Sequence, residues 1–198
     1  MEAEGHNNKK EDQTQSDNDH VDMIRSAHTE DMVDHYWGSI NYIFSLIKAS
    51  ELKAGLILSF YGIILNFIYQ KISDASVGFQ DKPVLYVLLF LWFGSTAYSI
   101  YCCVRCFMPK IEAKYDKNMF FFRDVITKFG SIHQFSKTFY KVSLNEDELF
   151  DQLGQQIYII SKIADTKFKF VNRALRFLGF GLGLLLITVI YYLISTLI

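Results

Sequence analysis

Phe177-Leu-Gly-Phe-Gly-Leu-Gly-Leu-Leu-Leu-Ile-Thr-Val-Ile-Tyr-Tyr-Leu-Ile-Ser-Thr-Leu-Ile198 holds no charged residue in 22 positions. As a helix rising about 1.5 Å per residue it is long enough to cross a hydrocarbon core of about 30 Å, so the chain is built into a membrane. Upstream, Ser143-Leu-Asn-Glu146 places a Glu three residues after a Ser, a pairing that satisfies two amides of a helix's first turn and predicts a helix start at Ser143. No Pro follows, and Gly154 is the only Gly before the final run, so this helix is expected to continue to the chain end, about 80 Å in all. Leu153, Ile157, Ile160, Ala164, Val171 and Leu175 recur by threes and fours, a face prepared for a partner helix.

Two further uncharged runs follow the same logic. Pro83 to Val104 is a second span, and Ala54 to Gln70, broken only by the amide of Asn66, is a shorter first one. The first 35 residues contain no apolar segment of signal-peptide type, so the first span is expected to serve as its own insertion signal. Arg105 to Arg176 carries 13 Lys and Arg against eight acidic residues, whereas the connection Lys71–Lys82 holds two Lys. The positive-inside tendency therefore puts the N-terminus and residues 105–176 in the cytosol, with Ile198 on the opposite face.

The fold class expected is all-α: a three-span helical membrane protein with long cytosolic helical stems and a small helical cap. Residues 1–21 are polar and acidic and read as a disordered tail. A cytosolic stem helix occupies 22–53, with Trp37, Ile40, Phe44 and Ile47 on its apolar face. Span 1 covers 54–70, an outer loop 71–83, span 2 84–104, a cytosolic helical sensor region 105–176, and span 3 177–198. Within the sensor region Lys110 to about Gly130 reads as helix, Gly130-Ser131 breaks it, and Ile132 to Val142 reads as a second short helix.

Several residue groups invite a chemical reading. Cys103-Val-Arg-Cys106 has the spacing of a metal or redox pair, but a structural metal site needs four ligands, and buried small apolar residues are the better account. Gly179 and Gly183, four apart within an apolar run with no preceding strand, suit close helix packing rather than phosphate binding. Asn66 is expected to bond across helices, either inside the bundle or at a pore or protomer contact. Nothing carries the spacing of a nucleophile or paired-carboxylate site, so no enzyme chemistry, cofactor or metal is expected. Glu51 and Lys167 continue the heptad spacing of their stems and put charge into an apolar seam, with Lys53, Lys162 and Asp165 close by in sequence. Two accounts stay open: an ion pair between helices, or a polar pocket whose lysines hold an anion. Arg123 and Lys128, beside an aromatic patch able to stack a base, form a rival anion site.

A family likeness rests on these same stretches. Ser50-Glu-Leu-Lys-Ala-Gly-Leu-Ile-Leu-Ser59 resembles the start of the transmembrane effectors of bacterial Pycsar antiphage systems. So does the order of Pro109, Phe121-Phe-Arg-Asp-Val125, Asn145-Glu-Asp-Glu-Leu149, Gln156-Ile157, Ser161-Lys-Ile163 and Lys167 ahead of the last span. The likeness covers roughly Ser45 to Ile198, and departs at Tyr61, where a small polar residue such as Asn is expected before Gly62. It implies a bacterial inner-membrane receptor for a cyclic pyrimidine mononucleotide, cyclic CMP or cyclic UMP, made by a partner cyclase on infection. The activated effector impairs the membrane and arrests or kills the cell. No nucleic-acid polymer is implied, and a homo-oligomer is expected from the glycine face and Asn66. The alternative from another class is an oligomeric pore or scaffold, such as a holin-like toxin, without a small ligand.

Overall fold

The computed structural model describes the backbone of residues 2–75, 83–108 and 116–197, and side chains over 27–70, 83–108 and 116–195. Among the described residues five helices follow one another: α1 Glu2–Ala75, α2 Pro83–Phe107, α3 Phe122–Thr127, α4 Ile132–Ser143 and α5 Glu146–Leu197. No strand occurs among the described residues. Three helices, α1, α2 and α5, contain stretches long and apolar enough to cross a membrane. The chain is an all-α, multi-pass membrane protein.

The helix limits differ from the sequence expectation in three places. Ser143 does not start the long helix, because its hydroxyl donates to the Phe139 carbonyl at 2.8 Å and closes α4. The true start is two residues on, where the Asn145 side chain accepts from the Glu148 amide at 3.5 Å, and Glu146, Asp147 and Glu148 bring negative charge to the positive end of the helix. A full capping box exists, but at Ser131 and Gln134, opening α4. Gly130 precedes it at φ 72°, and a Cβ there would collide with the Gln134 side chain, so this turn requires glycine. Of the helix expected from Lys110 to Gly130, the described residues keep only α3, with 116–121 not helical; 110–115, with Pro109, lie outside the described residues. Finally, α1 is helical from Glu2, where composition predicts a tail; its Glu, Lys and Gln are good helix formers. Most of the loop expected at 71–83 lies outside the described residues, and Pro83 already opens α2, a position that suits its missing amide.

Two compact units emerge, residues 1–42 with 115–159, and residues 43–114 with 160–198. The first unit is held by aromatics. Trp37 meets Phe120 edge-on at 6.0 Å, Phe120 meets Phe139 at 6.1 Å, and Phe139, Phe135 and Phe129 continue the series. Met119, Phe129 and Val142 are buried beneath them, and Ile40 and Leu153 are each 1% exposed.

The second unit is held by small residues. On α2 the buried positions are Leu85, Trp92, Ser95, Thr96, Ser99, Cys102, Cys103 and Cys106, a helical stripe dominated by short side chains that let backbones approach. Ser95 donates to the Phe177 carbonyl at 2.9 Å and Ser99 to the Ala174 carbonyl at 2.8 Å, so α2 and α5 are bonded side chain to backbone in antiparallel register. Ala54, Ile57 and Tyr61 of α1 complete this core with Val171 and Ala174. Of Gly179, Gly181 and Gly183, the one that faces a neighbour within the chain is Gly181, whose added Cβ would sit 3.4 Å from Ser95 Oγ. Gly179 and Gly183 have nothing within 4 Å of that position.

Candidate functional site

Lys167 occupies a seam position of α5 between Ala164 and Val171, and a lysine there must either leave the seam or find partners. It finds two. Its Nζ donates to Glu51 Oε1 of α1 at 2.5 Å and to the Cys106 carbonyl of α2 at 2.9 Å, and the residue is only 4% exposed. Cys106 lies in the last turn of α2, where carbonyls lack intrahelical partners, so the ammonium also caps the negative end of that helix. Glu51 remains 38% exposed at its side chain. Beside it, Ser50 is fully buried, its hydroxyl on the Ile47 carbonyl at 2.7 Å and its own carbonyl 3.8 Å from Cys106 Sγ. One side chain thus ties all three helices of the second unit.

The other seam charges separate from this centre. Lys53 is exposed, with Nζ 5.9 Å from the centre of the Phe168 ring. Asp165 pairs with Lys169 at 2.6 Å along the surface of α5 instead of entering the seam, because the two are four apart on one exposed face. Lys162 is exposed one turn away. Asn66 is exposed on α1 rather than packed in the bundle. The cysteines Cys102, Cys103 and Cys106 are free and buried, and no cluster suited to a metal occurs among the described residues.

In the first unit, Lys128 pairs with Asp124 at 3.0 Å one helical turn back, while Arg123 is exposed. Asp124 is itself 4% exposed and belongs to a polar knot that the sequence does not advertise. Its carboxylate accepts the Asn118 amide at 3.1 Å; Asn118 Nδ2 donates to the Gln152 carbonyl at 2.7 Å, and Asn118 Oδ1 accepts from the Phe120 amide at 2.9 Å. Gln152 Oε1 accepts the Met119 amide at 3.1 Å. One turn farther along α5, Gln156 is 5% exposed, and its Oε1 has no hydrogen-bond partner.

A family profile described as the Pycsar effector protein domain matches residues 35–195. The chain belongs to the Pycsar effector family. It is similar to the Pycsar effector protein SaPycTM of Staphylococcus aureus, 25% identical over 158 residues that cover 79% of this chain and 93% of that protein. No solved structure matches it. The match takes in both units, and thus the Lys167 centre, the polar knot and all three spans.

Proposed function

We propose that this Pycsar effector serves antiphage defence as a ligand-gated membrane protein of the bacterial inner membrane. It senses a cyclic pyrimidine mononucleotide, cyclic CMP or cyclic UMP, supplied by a partner cyclase, and impairs the membrane when bound. Family membership supports the defence role, and the observation that carries the gating is Lys167 joined to Glu51. A nucleotide phosphate competes with the half-exposed Glu51 carboxylate for the same ammonium, and exchanging one for the other loosens α1 from α5 at the level where the spans begin. Lys53 and Lys162, on neighbouring exposed positions, supply further positive charge. Residues 105–176 then face the cytosol, as their excess of basic residues favours, and three spans put the N-terminus on the same side. Outward-facing Gly179, Gly183 and Asn66 support a homo-oligomer within the bilayer, since an amide facing lipid gains a partner only from another chain. Gly183→Ile is expected to reduce crosslinked oligomer, and unchanged crosslinking moves the contact elsewhere.

A second reading places the nucleotide in the first unit. Gln156 favours it, because a buried amide oxygen without a donor suits the ring N–H of uracil or the amino group of cytosine. Arg123 and Lys128 are then the phosphate candidates. Binding of labelled cyclic CMP and cyclic UMP to the purified full chain decides between them. In the first reading, Lys167→Ala and Lys53→Ala lower affinity about tenfold or more, the loss of one charge-assisted bond, and Arg123→Ala leaves it unchanged. The reverse pattern assigns the ligand to the first unit and leaves Glu51 and Lys167 as a structural pair. No binding of either nucleotide by the parent chain supports the ligand-free pore.

A further inference from the structure

Arg105 is the first charge after the uncharged run Pro83–Val104, and Arg173 and Arg176 are the last before Phe177–Ile198. The Ser95 and Ser99 bonds to Phe177 and Ala174 fix α2 against α5 in antiparallel register, so Arg105 and Arg173 come within about two helical turns of each other at the edge of the apolar spans, one on either side of the level of Phe170. Both guanidiniums lie against a single ring: Cζ of Arg105 is 5.4 Å from the centre of Phe170, and Cζ of Arg173 is 5.9 Å from it. The acidic side chains nearby are engaged elsewhere, Glu51 with Lys167 and Asp165 with Lys169, and no carboxylate pairs with Arg105 or Arg173 among the described residues. Arg105 Nε is buried without a hydrogen-bond acceptor.

We propose that Arg105 and Arg173, sharing Phe170, form a site for the phosphodiester headgroup of an anionic phospholipid. Two guanidiniums gathered at one ring, with no carboxylate partner among the described residues, make an anion receptor, and their planar forks match phosphate oxygens. Stacking on Phe170 holds the side chains in place beforehand, so little rotamer entropy remains to be lost on binding. A phosphate oxygen also relieves the buried Nε–H of Arg105, which otherwise costs the desolvation of an unmade bond. The depth selects lipid over a free anion. Tyr98 packs on Phe177 at 4.4 Å, and exposed Tyr101 and Phe107 flank the same level of α2, the aromatic belt that marks a headgroup layer. Basic pockets between spans at that level take anionic headgroups. The site holds the α2–α5 pair to the membrane surface and needs no nucleotide.

The test uses the full chain in neutral detergent micelles doped with phosphatidylglycerol or phosphatidylcholine, without any nucleotide, reading bound lipid by native mass spectrometry and the unfolding temperature. Phosphatidylglycerol is expected to bind in preference and to raise the unfolding temperature. Arg105→Gln and Arg173→Gln each lower its affinity about fivefold, the effect of one interfacial charge, whereas Lys137→Gln, exposed in the first unit, does not. Should Arg105→Gln fail to fold, Arg173→Gln and Arg105→Lys carry the measurement: both are expected to lose affinity, the second less, because lysine keeps the charge but not the planar fork. Unchanged preference for phosphatidylglycerol in the arginine variants overturns the site. So does inorganic phosphate in phosphatidylcholine micelles reproducing the full stabilisation, which would make it a receptor for a free anion.

Discussion

Asn118 in the first unit and Lys167 in the second are both buried polar side chains with two short bonds each, yet they do opposite things. Asn118 bonds only to backbone, the Gln152 carbonyl and the Phe120 amide. Neither partner can leave without unfolding the segment that carries it. Lys167 has one such partner, the Cys106 carbonyl, and one that is free to swing, the half-exposed Glu51 carboxylate. A buried amide tied to backbone fixes a conformation, while a buried ammonium tied to a half-exposed carboxylate is the exchange point on which the proposed function rests.

Substitutions rank the two centres. The largest loss is expected for Asn118→Leu, which orphans the Phe120 amide at a fully buried site, at about 1–3 kcal/mol, and removes a second bond to the Gln152 carbonyl, at about 1 kcal/mol, since that carbonyl keeps its bond within α5. A fall in unfolding temperature together with altered Trp37 fluorescence checks it, because Trp37 packs on Phe120. Lys167→Met comes next, at about 2 kcal/mol. The loss is below the 3–5 kcal/mol of a fully buried pair because Glu51 can regain water. Glu51→Gln is expected to cost less than Lys167→Met, since it leaves the Cys106 carbonyl bond intact; the opposite order in chemical denaturation would show that the carboxylate, not the helix cap, holds α2. Lys169→Ala is expected to change stability by less than about 0.5 kcal/mol, as its pair with Asp165 is solvent-exposed on both sides. A larger effect would mean that this surface pair carries part of the seam.

Sequence made the architecture plain, because uncharged runs of span length admit few alternatives in a membrane. Heptad spacing also put Glu51 and Lys167 at seam positions of their own stems, leaving open whether they pair with each other or hold an anion. Sequence misled where one pattern fits several structures. A Ser three residues before a Glu occurs at Ser143, but the preceding helix claims that hydroxyl, and the working box lies at Ser131, where the third residue is Gln. Gly179, Gly181 and Gly183 are equivalent as letters, and only the position of Ser95 shows which one faces α2. The polar knot was illegible because its bonds run from side chain to backbone across residues 118 to 152, and backbone acceptors leave no mark in a sequence.

The glycine spacing in span 3 carries a mechanical meaning. Residues two apart on a helix point about 200° away from each other, so Gly181 thins the side toward α2 while Gly179 and Gly183 thin the opposite side. Each glycine also weakens local helix preference by about 1 kcal/mol relative to alanine. Span 3 is consequently slender on both flanks over a single turn and a half, close to the end that Lys167 anchors. If α5 bends within the membrane, the bend is expected at Gly179–Gly183, just past the two serine bonds that tie the helix to α2.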